Sequence, residues 1–239
     1  MSKSSTTSSA TVIERLLIAV GVALVLVGAA AHAGEEDWKT LSAQVQNHLE
    51  RGNMQQALLF ARQALKEAET VWGETHLNTA GSLDTLARVL LFAGNDVEAE
   101  IYYRRALVVV EKLRGPDSAA AGVALQNLGS ALTRRAVGVE AEQMHRRALG
   151  IFEKNYGENN VNTAAALHGL GSALLAQGKL GPAESYLRRA LAVKEKLFGP
   201  DSLATGHTLK NLALALDALG RKAEADRMRE RVAAIFKTK

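Results

Sequence analysis

The chain has 239 residues, 47% of them hydrophobic but only 5% aromatic, so a sizeable core must be built mainly from Ala, Leu and Val, as closely packed helices allow. With no cysteine, a disulfide framework, a thiolate nucleophile and a cysteine-ligated metal are excluded, although redox compartment is left open because an oxidising space permits disulfides without requiring them. The 29 Lys+Arg against 25 Asp+Glu give a net charge of +4 and a pI near 9.4, a mixed balance that leans toward acidic partners without demanding them.

The first third of the N-terminal 33 residues is Ser/Thr-rich and carries Lys3; Arg15 follows. Residues 16–31 are uncharged and strongly apolar, and Ala31-His32-Ala33 precedes Gly34 and the acidic pair Glu35-Glu36. A positive flank, a short apolar stretch and an A-x-A site read as a secretory signal peptide over residues 1–33, cleaved after Ala33. The alternative is an uncleaved membrane anchor over residues 16–33, at the lower edge of the length that spans a bilayer. The first reading places the protein in the periplasm or outside the cell; the second tethers it to the membrane.

From residue 34 to 239 the sequence repeats every 42 residues. Gly73, Gly115, Gly157 and Gly199 keep this interval, as do Ala57, Ala99, Ala141, Ala183 and Ala225. Leu41, Leu83, Leu125, Leu167 and Leu209 form another column. Leu86, Leu128, Leu170 and Leu212 form the next, and Leu90, Leu132, Leu174 and Leu216 a further one, where the first unit has Gln44 and His48. Offsets of three and four residues between these columns describe one face of an α-helix. The spacing predicts five units of two helices each, over about 37–72, 77–114, 119–156, 161–198 and 203–236.

Punctuation supports that division. Gly52, Gly94, Gly178 and Gly220 mark the turn within a unit, and the third unit has Ala136 there, followed by Gly138. Glycine after a helix adopts the left-handed conformation at little cost and closes the last turn. Gly115-Pro116-Asp117-Ser118 and Gly199-Pro200-Asp201-Ser202 end one helix, block its continuation and offer a cap to the next. All three prolines, Pro116, Pro182 and Pro200, are expected at unit boundaries. The recurrent alanines read as contacts where the helices of a hairpin come close. No unit can bury its apolar face alone, so neighbours must stack.

The columns Leu128, Gly129, Ala141 and Ala148, and likewise Leu170, Gly171, Ala183 and Ala190, fall at the spacings of the tetratricopeptide repeat, and the chain resembles that family over about residues 37–236. Its usual period is 34 residues; the 42-residue form, best seen from Gly115 to Gly157, resembles the kinesin light chain type. Departures are Ser118 and Ser202 where the family often has His, and Thr85 and Gly169 where Asn127 and Asn211 carry its asparagine. The resemblance implies an all-α, right-handed α-solenoid of about five stacked helix-turn-helix repeats, with the first helix of each unit on the concave wall. It implies a non-catalytic scaffold or protein–protein interaction module. The peptide-binding residues would then be Asp84, Thr85, Arg88, Gln126, Asn127, Ser130, Arg134, His168, Ser172, Lys210 and Asn211. Polar side chains recurring along one wall suit the backbone of an extended protein or peptide partner, and Arg88, Arg134 and Lys210 could hold a carboxylate.

Paired arginines at 104–105, 146–147 and 188–189 recur on the second helices. The preferred reading is helix solvation with ion pairs to Glu100, Glu142 and Glu184; no aromatic platform accompanies them, and no nucleic-acid partner is expected. No phosphate-binding, zinc-protease, nucleophile-elbow or calcium-loop motif occurs, and no two histidines share helical metal-pair spacing. The chain is therefore read as no enzyme, with no cofactor and no metal.

Overall fold

The computed structural model describes residues 32–237; the predicted signal segment up to residue 31 lies outside the described residues. Two compact units are found, Met1–Glu74 and Thr75–Lys239.

In the first, α1 (residues 32–50) and α2 (Met54–Trp72) form a hairpin. Gly52 turns the chain with φ 71°, and Asn53 N–H closes onto the His48 carbonyl at 2.8 Å. Val45, Ala57, Ala61 and Ala68 are sealed between the helices. Trp38 meets Trp72 edge-on with ring centroids 5.1 Å apart, and His48, in its leucine column, stacks on Phe60 at 5.3 Å.

The second unit contains four hairpins. They are α3 (Leu77–Phe92) with α4 (Asp96–Arg114), α5 (Ala119–Arg134) with α6 (Gly138–Tyr156), α7 (Val161–Ala176) with α8 (Leu180–Phe198), and α9 (Leu203–Ala218) with α10 (Lys222–Lys237). Among the described residues there is no strand. The first helix of each hairpin starts at a side chain that accepts a backbone N–H left over by the first turn. Ser118 Oγ accepts from Ala121, Ser202 Oγ from Thr205, Asn160 Oδ1 from Asn162 and His76 Nδ1 from Asn78. The second helices start without such a cap, straight from the turn. Where the other turns have glycine, Ala136 takes the left-handed conformation at φ 60°, a cost that L residues with a Cβ normally avoid.

Pro116 and Pro200 follow a terminating glycine, as expected, but Pro182 does not sit at a unit boundary. It occupies the first turn of α8, within a hairpin. That place tolerates proline because the N–H it lacks has no intrahelical acceptor there.

Each hairpin closes around an alanine of its second helix. Ala99, Ala141, Ala183 and Ala225 are all fully buried, as is every leucine of the columns at 83, 86 and 90 in the later hairpins. Each such leucine contributes roughly 1.5–3 kcal/mol by leaving water. Successive hairpins then pack second helix against the next first helix, α4 on α5, α6 on α7 and α8 on α9. The first helices also touch one another directly, α5 with α7 and α7 with α9. Helix α10 buries only Ala225 and Ile235 and turns a wet, charged face outward.

Candidate functional site

Equivalent positions on the first helices line up across the second unit. Three columns matter: Asp84, Gln126, His168 and Lys210; Thr85, Asn127, Gly169 and Asn211; Arg88, Ser130, Ser172 and Leu214. Most are half-buried; Arg88, Lys210 and Leu214, and Arg134 near the end of α5, are exposed, and Gly169 is buried.

Much of this polarity joins one repeat to the next. Asn127 Nδ2 donates to Asp84 Oδ1 at 2.6 Å, and Asn211 Nδ2 to Ser172 Oγ at 2.8 Å. Gln126 Nε2 donates to the Ala165 carbonyl at 3.2 Å, and Arg134 pairs with Asp96 at 3.0 Å. Ser130 and Ser172 also donate back to the carbonyls of Gln126 and His168 on their own helices. Burial raises the Asp84 carboxyl above its ordinary value, while the Asn127 hydrogen bond and the Arg88 charge pull it down. Asn127 and Arg134 are thus structural as well as available to a partner. Arg88 and Lys210 make no hydrogen bond or ion pair among the described residues. Thr85 sits half-buried beside Asp84.

The asparagine column breaks at Gly169 for a packing reason. His145 of α6 is completely buried, and its ring lies where a Cβ on Gly169 would come within 2.5 Å, or a Cβ on Gly129 within 2.8 Å. Two glycines on successive first helices therefore house one imidazole. Its Nδ1 faces Gln126 Oε1 at 3.1 Å, its Nε2 is buried without a partner, and burial pushes its pKa down to about 4, so the ring is neutral.

A second buried polar cluster matches no sequence motif. Lys194 of α8 is 9% exposed, and its Nζ donates to Thr208 Oγ1 of α9 at 2.9 Å. His168 Nδ1 lies 3.2 Å from the same hydroxyl. No carboxylate pairs with Lys194 among the described residues; burial pushes its pKa down to about 8. For His168, burial leads and the nearby Lys194, His207 and His145 add to it, taking the pKa to about 3. The sequence does carry a signal: the column of Lys194 otherwise holds Ala68, Val110, Phe152 and Phe236.

The paired arginines form the expected i,i+4 ion pairs: Arg104 with Glu100, Arg146 with Glu142 and Arg188 with Glu184. They also bridge second helices, which the sequence reading did not anticipate. Arg104 reaches forward to Glu140, and Arg147, Arg189 and Arg231 reach back to Glu111, Glu153 and Glu195. Arg135, Lys179 and Arg221 at the turns pair with Glu100, Glu142 and Glu184 of the preceding hairpin. Lys179, then Arg146 and Gln177, hold the Glu142 carboxyl down at about 2. Long Arg–Glu bridges span the second helices, whereas short Asn, Asp and Ser side chains suffice between first helices. The first-helix side is therefore the tighter side of this stack. No group of three or more acidic or histidine side chains among the described residues could hold a metal ion.

Lys194 gives a prediction whose sign follows from its environment. Its folded pKa lies below the unfolded value of 10.5, so the unfolded state binds more protons and stability rises with pH between about 8 and 10.5. Lys194→Met, matching the apolar residues of its column, should raise stability at pH 7 by on the order of 2 kcal/mol and abolish that rise. Thermal melts of both proteins from pH 7 to 10.5 check this; equal slopes for the two would refute it.

Comparison with known proteins agrees with this architecture. Tetratricopeptide repeat families match residues 79–120, 124–196 and 183–238, together well over half of the chain. No curated protein matches the sequence. Among solved structures, the chain is similar to BtubC (BKLC) from P. vanneervenii at 20% identity and TM-score 0.72, covering 94% of this chain and 91% of that one. It is equally similar to a Podosopora anserina protein with nearly identical kinesin light chain TPR-like repeats, at 20% identity and TM-score 0.70, covering 82% and 93%. A Rap protein, solved complexed with Competence and Sporulation Factor, shares the fold at 17% identity and TM-score 0.69, covering 83% of this chain and 53% of that one. With matched repeats, stacked helical hairpins and these structural relatives, the chain belongs to the tetratricopeptide repeat family.

Proposed function

We propose that the protein is an exported, non-catalytic interaction module that holds a protein or peptide segment on the concave, first-helix wall of residues 75–237. The observation that carries this reading is the set of polar side chains recurring along the first helices, with Arg88 and Lys210 exposed among them. On the first helices, α5 and α7 contain no Asp or Glu, α3 and α9 carry one acid each, Asp84 and Asp217, and Arg88 and Lys210 stand exposed with no ion pair. Such a wall offers donors at a regular interval to an extended chain, and its unpaired cations favour a partner with carboxylates. The similarity to Rap, a fold solved with a bound factor, agrees with it. Export rests on the sequence of residues 1–33, with a periplasmic or secreted location following from cleavage after Ala33.

The test uses the two unpaired cations, because replacing Asn127 or Arg134 would also loosen a junction. Arg88→Ala with Lys210→Ala should reduce partner capture from envelope and culture extracts several-fold while moving the melting temperature by no more than about 2 °C. Unchanged capture would place the partner elsewhere. Export is checked by the intact mass of the protein purified from its native host, which should begin at Gly34; a chain retaining residues 16–33 would refute cleavage.

A further inference from the structure

The cluster of Lys194, Thr208 and His168 has a direction. An ammonium has three donors and no acceptor, so Thr208 Oγ1 must be the acceptor of the Lys194 bond. The hydroxyl then has one proton to place. The His168 Nδ1 at 3.2 Å and the Ala204 carbonyl at 3.3 Å compete for it. If it went to Ala204, Nδ1–H of His168 and the Lys194 ammonium would point two positive ends at one oxygen. If it goes to His168, the imidazole lone pair faces the cation. Electrostatics in a buried site favours the second arrangement. An acceptor Nδ1 on a neutral ring leaves the proton on Nε2. His168 Nε2 makes no hydrogen bond among the described residues and, unlike His145 Nε2, is not a fully buried orphan, so it keeps some contact with solvent on this half-buried first-helix position. The groups around it reinforce the polarity: Lys194, His207 and His145 all act on the His168 ring, and α7 itself carries no acid.

We propose that Lys194, which does not itself reach the wall, is a positioning residue: through Thr208 it fixes His168 as an outward Nε2–H donor, so that this step of the wall selects an acceptor oxygen on the partner. The inference rests on the wall being a binding surface, and it adds the chemistry read at one position of it. It also gives a reason for a lysine in an apolar column, where it costs stability. Proteins retain such local losses where a site needs them.

Nitrogen-15 spectra of the full chain with labelled histidine read the tautomer directly. Between pH 5 and 7 His168 should be the Nε2–H form, and sodium acetate should shift its Nε2–H resonance. N-methylacetamide, a neutral carbonyl, serves as the second probe and separates carboxylate from main-chain recognition by which of the two shifts the resonance more. In Lys194→Met the ring should become a mixture of tautomers with the acetate shift reduced several-fold, and Lys194→Arg, which keeps the charge and the donor, should restore both. An Nδ1–H tautomer in the wild type, a tautomer unmoved by Lys194→Met, or no shift with either probe would each overturn the proposal. The wall reading is judged separately by capture with the Arg88 and Lys210 variants: loss of capture there together with an Nδ1–H His168 sinks the relay and leaves the wall standing.

Discussion

Close approach of helices is the constraint on which the rest of this structure depends. Each hairpin closes around a buried alanine of its second helix, and α5 and α7 each offer a glycine where His145 lies between them. Gly171 shows the scale: a Cβ there would lie 2.6 Å from Leu187 and 3.3 Å from the Ala183 carbonyl. Interiors packed this tightly transmit a single methylene as strain. The 42-residue period is the sequence record of that geometry, since each contact recurs wherever two hairpins meet.

The same constraint divides the polar chemistry between two sides. Where helices are close, short side chains can bridge them, and Asn127 reaches Asp84 as Asn211 reaches Ser172. Where they are farther apart, only arginine is long enough, and the arginines of the second helices find glutamates 36 residues away. Exposed pairs of that kind are worth little individually, about 0.2–1 kcal/mol.

The hairpins, their turns and the buried leucine and alanine columns were legible because each is written once per repeat. What the sequence hid were single departures from the pattern. Pro182 looked like punctuation and is instead a first-turn residue of α8. Gly169 looked like a lost asparagine; it is the space that His145 occupies, and the two residues are 24 positions apart with nothing local to link them. Lys194 was visible as an oddity in an apolar column, yet its meaning required the Thr208 hydroxyl of the next hairpin. Several of the wall residues proved to be shared between junction and surface, because a side chain that points along the wall can also reach the neighbouring repeat.

The most direct test of the central claim is the Gly169→Ala variant, alone and with His145→Ala. Alanine is the better helix former by about 0.5–1 kcal/mol, so an uncrowded site would gain stability from it. Close approach predicts the opposite: Gly169→Ala should lose about 1–3 kcal/mol by overpacking against a ring that Gly129 hems in from the other side, and the loss should vanish when His145 is alanine. A Gly169→Ala protein that melts at or above the wild-type temperature would contradict the account.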